Sequence, residues 1–413
     1  MVWPNLGAEE GSAWPQRTAL PRVAATLRLW RHLLGAPQEL VLPAGSPSAP
    51  GENWPETLGA RPPDPVFAWL GDRPGACWWA DEEARLAFET ARVPWPGPAP
   101  EIALSAHDKA FAAKCADEAG LVPDCLAGLC TAYAPSDLAD PERWVETLAA
   151  QLAGWPEWTR GRFTLKPRLG SSGRGRVGGR AEALEPEKLR GALSRLARQG
   201  GALLEPWLHR EVDLSAMLHI AEPGRAEGGG VTLLGTAEQR LAPSGVYLGH
   251  LGEIDSRGRV FSGGPWEESM REAAGAIAGQ AQRAGYWGPC GIDGFSFHGP
   301  GSPSTVLRPV VEFNARFTVG IVVVGLVRRA LAQIKAPLGL EPGERRGFLF
   351  ALDPPPGFAE WQALAEAAGP GSHLVSLASG DGGDPAAAQP ALLFAANADT
   401  LRAALASASP GAD

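Results

Sequence analysis

From residue 105 to about residue 340 the chain alternates between helix-period segments and short apolar runs with strand character. That alternation confines it to an α/β or α+β architecture. The pattern predicts a helix over 105–120, with Ser105 as N-cap, Asp108 three residues on and Gly120 in the C-cap place. A helix follows over 141–153, a strand over 162–166, a helix over 186–199 and a strand over 202–205. More strands are predicted at 212–219, 232–240, 258–261, 291–297 and 306–313, with a helix at 266–284. Beyond residue 345 a tail reads as strand 348–352, helix 358–368, strands 373–377 and 391–396, and helix 398–406. It is expected to be a small appended α/β unit. Residues 1–100 are less regular, with a helix near 22–34, strands at 39–42 and 66–70, and a helix at 81–92. The proline-rich stretch 93–100 marks a boundary. The run 319–327 is too short for a membrane span, which needs about 20 residues, so it reads as a buried helix or strand.

Composition narrows the class. At roughly 150 residues per domain, 413 residues suggest two or three domains. Glycine (52) and proline (39) are abundant enough to demand many turns, yet 45% hydrophobic residues can build a core. A net charge of −9 excludes the electrostatic footprint of a general nucleic-acid binder. Cys77, Cys115, Cys125, Cys130 and Cys290 form no CxxC pair and read as reduced thiols. No basic n-region followed by an apolar stretch opens the sequence, so a soluble, cytoplasmic protein is expected.

Only five of the 37 basic residues are lysines, at 109, 114, 166, 188 and 335. Lysine offers a compact ammonium to a single phosphate oxygen, which arginine does not. Lys166 closes a strand and leads into FTLKPRLGSSGRGRVGG, residues 163–179. Glycines there expose backbone N–H groups that can wrap phosphate oxygens. Gly173-x-Gly175-x-x-Gly178 lacks a helix opening on the third glycine, so it is not a dinucleotide fingerprint. No GxxxxGK[ST], HRD or DFG occurs, which removes the P-loop and protein-kinase readings. Taken alone, the segment also suits a solvated Gly/Arg surface loop.

Asp293 lies in GIDGFSF (291–297); Glu312, Asn314 and Arg316 lie in VVEFNARFT (310–318). Residues two apart on a strand share a face, so the last three project together, and Asp293 joins them if the two strands are neighbours. Two carboxylates and an amide suit a hard ion such as Mg²⁺ that bridges phosphates, and Arg316 could then hold a transferring phosphoryl group. The same alternation also fits the polar outer face of an ordinary strand. Between these segments, ALLEPWLHREVDLSA (202–216) reads as a strand crossing stiffened by Pro206, with Glu205 and Glu211 on either side. The histidines at 107, 209, 219, 250 and 298 share no ligand spacing, and no GxSxG elbow supplies a nucleophile. Asn5–Glu10 reads either as a functional turn or as plain surface acidity.

The order of these pieces resembles the ATP-grasp superfamily, over roughly residues 105–330. The resemblance implies two α+β lobes clamping ATP: residues 105–204 with the glycine-rich loop, and 205–340 with a Mg²⁺ site. A reduced preceding domain (1–104) and the small C-terminal unit (341–413) flank them, a layout loosely similar to the pheganomycin-type peptide ligases. It further implies that Lys109 and Lys166 are the nucleotide-phosphate lysines and that Ser171, Ser172, Gly173 and Gly175 form the covering loop. Glu205 and Leu208 fall at the adenine hinge, where Pro206 would leave backbone contacts only, and Glu211 at the ribose. Asp293, Glu312 and Asn314 match the metal ligands, for Mg²⁺ or Mn²⁺, with Arg316 beyond them; Arg316 and Lys166 carry the catalytic expectation. Arg240 and Tyr247, in AEQRLAPSGVYLG, are weaker substrate-contact candidates. The implied activity is an ATP-dependent carboxylate–amine ligase that forms an amide or peptide bond through an acyl phosphate. A phosphotransferase of the same fold and a non-catalytic nucleotide-binding protein are the alternatives. Expected partners are a small carboxylate and an amine, an amino acid or peptide; no nucleic acid or membrane is expected, and a homodimer is allowed.

Overall fold

The computed structural model describes residues 1–10, 14–17, 20–34, 41, 67, 75–170, 175–184, 186–224, 230–242, 245–301, 304–378 and 388–407. The expected strands at 39–42 and 66–70 lie, except for Val41 and Phe67, outside the described residues, as do Ser171, Ser172 and Gly173.

The N-terminal segment places β1 (Val2–Trp3) parallel to β2 (Ala76–Cys77); α1 (Trp14–Arg17) and α2 (Pro21–Leu33) lie between them in the chain, and α3 (Glu82–Thr90) follows β2. Asp81 caps α3 by accepting from the Ala84 N–H at 2.7 Å. Asn5 ties the first turn to this region: its Nδ2 donates to the Trp79 carbonyl at 2.9 Å and its Oδ1 accepts from the Trp79 N–H at 3.0 Å.

The helix expected over 105–120 is two helices, α4 (Pro100–His107) and α5 (Lys109–Glu118). Pro100 starts α4 earlier than expected, so Ser105 lies inside that helix. Asp108 leaves helical backbone (φ −62°, ψ 125°) and caps α5 through the Ala110 N–H. The break makes Lys109 the first residue of α5. Gly120 does end α5, at φ 65°.

The first lobe is a four-stranded antiparallel sheet in the order β3-β6-β4-β5, comprising β3 (Thr131–Tyr133), β4 (Arg162–Pro167), β5 (Val177–Arg180) and β6 (Ala202–Pro206). Helices α6 (Pro141–Ala153) and α7 (Pro186–Arg198) share its core through Leu148, Leu193 and Leu196 against Phe163, Leu165 and Leu204.

The second sheet has nine strands: β7 (Arg210–Ile220), β8 (Val231–Leu241), β9 (Tyr247–Asp255), β10 (Val260–Phe261), β11 (Gly288–His298), β12 (Thr305–Asn314), β13 (Arg345–Ala351), β14 (His373–Ser376) and β15 (Ala391–Ala395). They run in the order β12-β11-β7-β8-β10-β9-β13-β15-β14. Alternation along β7 sorts its two faces. Leu214, Ala216 and Leu218 join the core around α8 (Glu267–Arg283), while Met217 joins the other core, with α2 and α9 (Val319–Ile334). The apolar run 319–327 is thus a buried helix. Within the expected C-terminal unit the described strands continue this sheet: β13 pairs with β9, and β15 and β14 follow, covered by α10 (Trp361–Ala367) and α11 (Ala398–Ser407). No helix among the described residues is long and apolar enough to cross a membrane.

Candidate functional site

A cleft of about 220 Å³ lies where the two lobes meet the N-terminal segment, lined from β4, β7, β8, β9, β11, β12 and the first turn of α9. Its floor follows from register. β11 and β12 pair so that Asp293 stands opposite Glu312, and β7 places Ser215 opposite Asp293 on the other side. The ladder is irregular between Asp293 and Phe295, and Gly294 fills the gap. A Cβ there would sit 2.7 Å from the Pro309 carbonyl oxygen, so only glycine lets the strands close beside the carboxylates.

Asp293 is held from two sides. Gln239 Nε2 donates to Oδ1 at 2.5 Å and Asn314 Nδ2 donates to Oδ2 at 2.8 Å. Burial, and next the adjacent Glu312 carboxylate, still push the Asp293 carboxyl well above its usual range. Glu312 moves the other way. Burial alone would raise it, but Lys109, Lys166, Arg316 and Arg210 together outweigh burial and hold it below its usual range.

The two lysines come from different elements. Asp108, besides capping α5, accepts from Arg168 Nε at 3.1 Å, and the Lys109 N–H donates to the Arg168 carbonyl at 3.1 Å. This clasp sets the start of α5 against the end of β4. Lys109 Nζ then donates to the Gly170 carbonyl at 2.7 Å and lies 3.5 Å from Glu312 Oε2. Lys166 is buried and paired with Glu205, its same-face neighbour across the β4–β6 ladder. Burial pushes the Lys166 ammonium down, and Glu205 opposes that. Arg308, reaching over from β12, also lies 2.8 Å from Glu205. Burial works to raise the Glu205 carboxyl, but Arg308 and Lys166 prevail and hold it at about 2.

Arg316 is fully engaged. Its Nε lies 3.0 Å from Oε1 of buried Glu9, Nη1 donates to the Phe317 carbonyl at 2.9 Å, and Nη2 donates to Asn314 Oδ1 at 3.2 Å. The amide of Asn314 therefore bridges Arg316 and Asp293.

Of the residues named from sequence, Lys109, Lys166, Asp293, Glu312, Asn314, Arg316 and Tyr247 line this one cleft. Glu205 sits behind Lys166 and faces a smaller cavity of about 40 Å³ with Cys130 and Arg308. Leu208 packs into the core of the first lobe, and Glu211 pairs with His298; neither lines the cleft. Gly175 has φ 73° at the resumption of the glycine-rich loop. Arg240 alternates away from Gln239 and shares its strand face with Glu238, which holds Arg402. The cleft adds Arg176, Arg210, Asp213, Ser215 and Gln239, which sequence reasoning did not single out, together with Glu9 from the Asn5–Glu10 turn and His250, which sequence reasoning sets aside as a metal ligand. Asp213 and Ser215 were recoverable in principle, since they alternate with the buried Leu214 and Ala216. Arg176 lies over the Trp207 ring at 4.7 Å and Arg210 over Phe295 at 4.6 Å, contacts that join distant segments.

Among the described residues no group of three or more His, Cys, Asp and Glu side chains is placed to hold a metal by itself. Asp293 and Glu312 nevertheless form a partly buried pair of carboxylates, and burial first, then the Glu312 charge, drives Asp293 toward protonation. That donor set fits Mg²⁺ or Mn²⁺ taking its remaining oxygens from phosphate and water.

No protein-family model matches the chain, and no curated protein matches it. Solved structures similar to it include N5-carboxyaminoimidazole ribonucleotide synthetase from Thermus thermophilus, at 18% identity and TM-score 0.48, covering 94% of both chains. Carboxyaminoimidazole ribonucleotide synthase from Aspergillus clavatus, complexed with ATP, is similar at 15% identity and TM-score 0.46, covering 81% of this chain and 80% of that one. Biotin carboxylase from Campylobacter jejuni is similar at 15% identity and TM-score 0.45, covering 79% of this chain and 75% of the other.

Proposed function

We propose that the chain is an ATP-grasp enzyme that joins a carboxylate to an amine at the expense of ATP, through an acyl phosphate. One observation carries this reading: Asp293 and Glu312, opposed in register, share a cleft with Lys109 and Lys166, which arrive from two other elements. Carboxylates that attract a divalent cation, facing ammonium groups at the mouth of a glycine-rich loop, suit a triphosphate better than any uncharged ligand.

In the first step an oxygen of the substrate carboxylate attacks the γ-phosphorus, and the bond from that phosphorus to the β-phosphate oxygen breaks, releasing ADP. In the second step the amine nitrogen attacks the acyl carbon, inorganic phosphate leaves, and the nitrogen loses a proton. A divalent cation held by Asp293 and Glu312, with Asn314 alongside, supplies charge neutralisation on the phosphate oxygens when bound. The protein's own side chains do the positioning. Lys109, tied to Gly170, follows the glycine-rich loop. Lys166 keeps its ammonium charged by pairing with Glu205, and Arg316 presents a guanidinium fixed on three sides.

The test is a nucleotide-product assay over pairs of small acids and amines with ATP and Mg²⁺. The reading predicts ADP and phosphate in a one-to-one ratio with amide, and a hydroxamate when hydroxylamine replaces the amine. AMP and pyrophosphate, or ADP formed equally well without any carboxylate, would overturn it.

A further inference from the structure

One wall of the cleft lies outside the lysine–carboxylate centre. It is made by the first turn of α9 and by His250 of β9. Thr318 caps that helix by accepting from the Ile321 N–H at 3.3 Å, while the next residues, Val319 and Gly320, line the cleft. A helix leaves its first-turn N–H groups without internal acceptors and carries partial positive charge there. Gly320 is in close contact with the imidazole: a Cβ at that position would lie 3.2 Å from His250 Nε2 and 2.8 Å from Met217 Sδ.

His250 is only 2% exposed, and among the described residues its Nε2 has no hydrogen-bond partner. Its other nitrogen, Nδ1, is 2.5 Å from the hydroxyl of Tyr247. Burial holds the imidazole at about 3, so the ring is neutral and carries one proton, and burial keeps the Tyr247 phenol protonated. A phenol O–H is a better donor than an imidazole N–H, and a bare imidazole nitrogen a better acceptor than a phenol oxygen. Tyr247 therefore donates to Nδ1, and the ring proton sits on Nε2, the unpaired atom beside Gly320. A buried N–H without an acceptor is costly, and this one adjoins the positive end of a 16-residue helix.

We propose that His250 Nε2–H and the first turn of α9 form a subsite for a carboxylate of the organic substrate. The assignment deepens the ligase reading and rests on it for the identity of that substrate as an acid or amino acid. Its neutral donors bind the carboxylate without competing for the triphosphate, whose charge is drawn to the lysines and the cation site. Location supports this division: His250 pairs across the strands with Gln239, whose amide holds Asp293. The subsite thus borders the phosphate centre without being part of it. Tyr247 acts as a positioning residue that fixes the tautomer.

The experiment is imidazole ¹⁵N NMR of the full chain, with ADP–Mg²⁺ present, titrated with small carboxylates and with their primary amides. The expected result is a neutral His250 protonated on Nε2, whose Nε2 signal shifts on adding the carboxylates and not the amides. Tyr247→Phe should yield a mixture of tautomers and weaken carboxylate binding three- to tenfold, and His250→Phe should weaken it at least tenfold. A wild-type ring protonated on Nδ1, or equal shifts with carboxylates and amides, would overturn the subsite. Because the readout needs no turnover, a chain that binds carboxylates at His250 yet makes no ADP would contradict the ligase reading alone.

Discussion

Nε of Arg316 lies 3.0 Å from Oε1 of Glu9, so a side chain from the first ten residues holds an arginine in the middle of the cleft. Glu9, Arg316, Asn314, Asp293 and Gln239 form one continuous chain of polar contacts from the N-terminal segment to the carboxylate pair. The short first segment is therefore a structural part of the site.

Glu9→Ala is expected to lower kcat about ten- to a hundredfold, the equivalent of about 1.4–3 kcal/mol, because it strips the Arg316 guanidinium of its buried counter-ion. Steady-state ADP release at saturating substrates checks this. An unchanged kcat would show that Arg316 keeps its place without Glu9.

Glu312→Ala removes one of two like charges and leaves Lys109 still bonded to the Gly170 carbonyl. ATP turnover should fall at least a hundredfold, the scale for losing a group that stabilises transition-state charge, while the urea midpoint stays at or above that of the wild type. Retained turnover would remove Glu312 from the cation site.

Glu205 is the counter-ion of two buried cations, Lys166 and Arg308. Removing one partner of such a cluster costs about 3–5 kcal/mol. Glu205→Ala should therefore show a large loss in denaturant stability, and Lys166→Ala, which leaves Glu205 with Arg308, a smaller one. Lys166→Ala should in addition raise KM for ATP sharply. Equal stability losses, with KM for ATP unmoved, would make Lys166 a purely structural residue.

A fourth expectation concerns pH. His32, on α2, is buried against Arg329 of α9, and burial first, then the arginine charge, lower its pKa to about 4. An unfolded chain binds a proton at this histidine near pH 6.5, whereas the folded chain does not until about pH 4. Its contribution is thus fully present above pH 6.5 and is lost as pH falls toward 4. Urea midpoints measured from pH 7.5 to 4.5 should decline more steeply for the wild type than for His32→Gln. Parallel declines would mean that the histidine is already protonated in the folded state.

The strand and helix order was legible because buried segments carry strong periodicity, as in residues 202–205, 291–297 and 319–327. The break at Asp108 was not, since apolar spacing runs on across it and only the contact with Arg168 reveals why the chain turns there. Asp293 and Glu312 could be named from sequence, but their opposition depends on a register shifted at Gly294, which no local pattern encodes. Glu205 looked like a hinge residue. Its side chain is held by Lys166 and by Arg308, a residue of the other sheet, and only the packing of the two lobes shows this. Glu9 was visible only within a turn that read equally as functional or as surface acidity, because its meaning lies in a partner far along the chain. His250 carried no signal, since an isolated histidine on a strand becomes informative only when its neighbours are known.

The most direct test of the central claim follows an oxygen atom. With ATP, Mg²⁺, an amine and a carboxylic acid labelled with ¹⁸O in its carboxyl group, the account predicts one ¹⁸O transferred to each molecule of inorganic phosphate released. Phosphate free of label, with amide still formed, would contradict an acyl phosphate made between the lysines and the carboxylate pair.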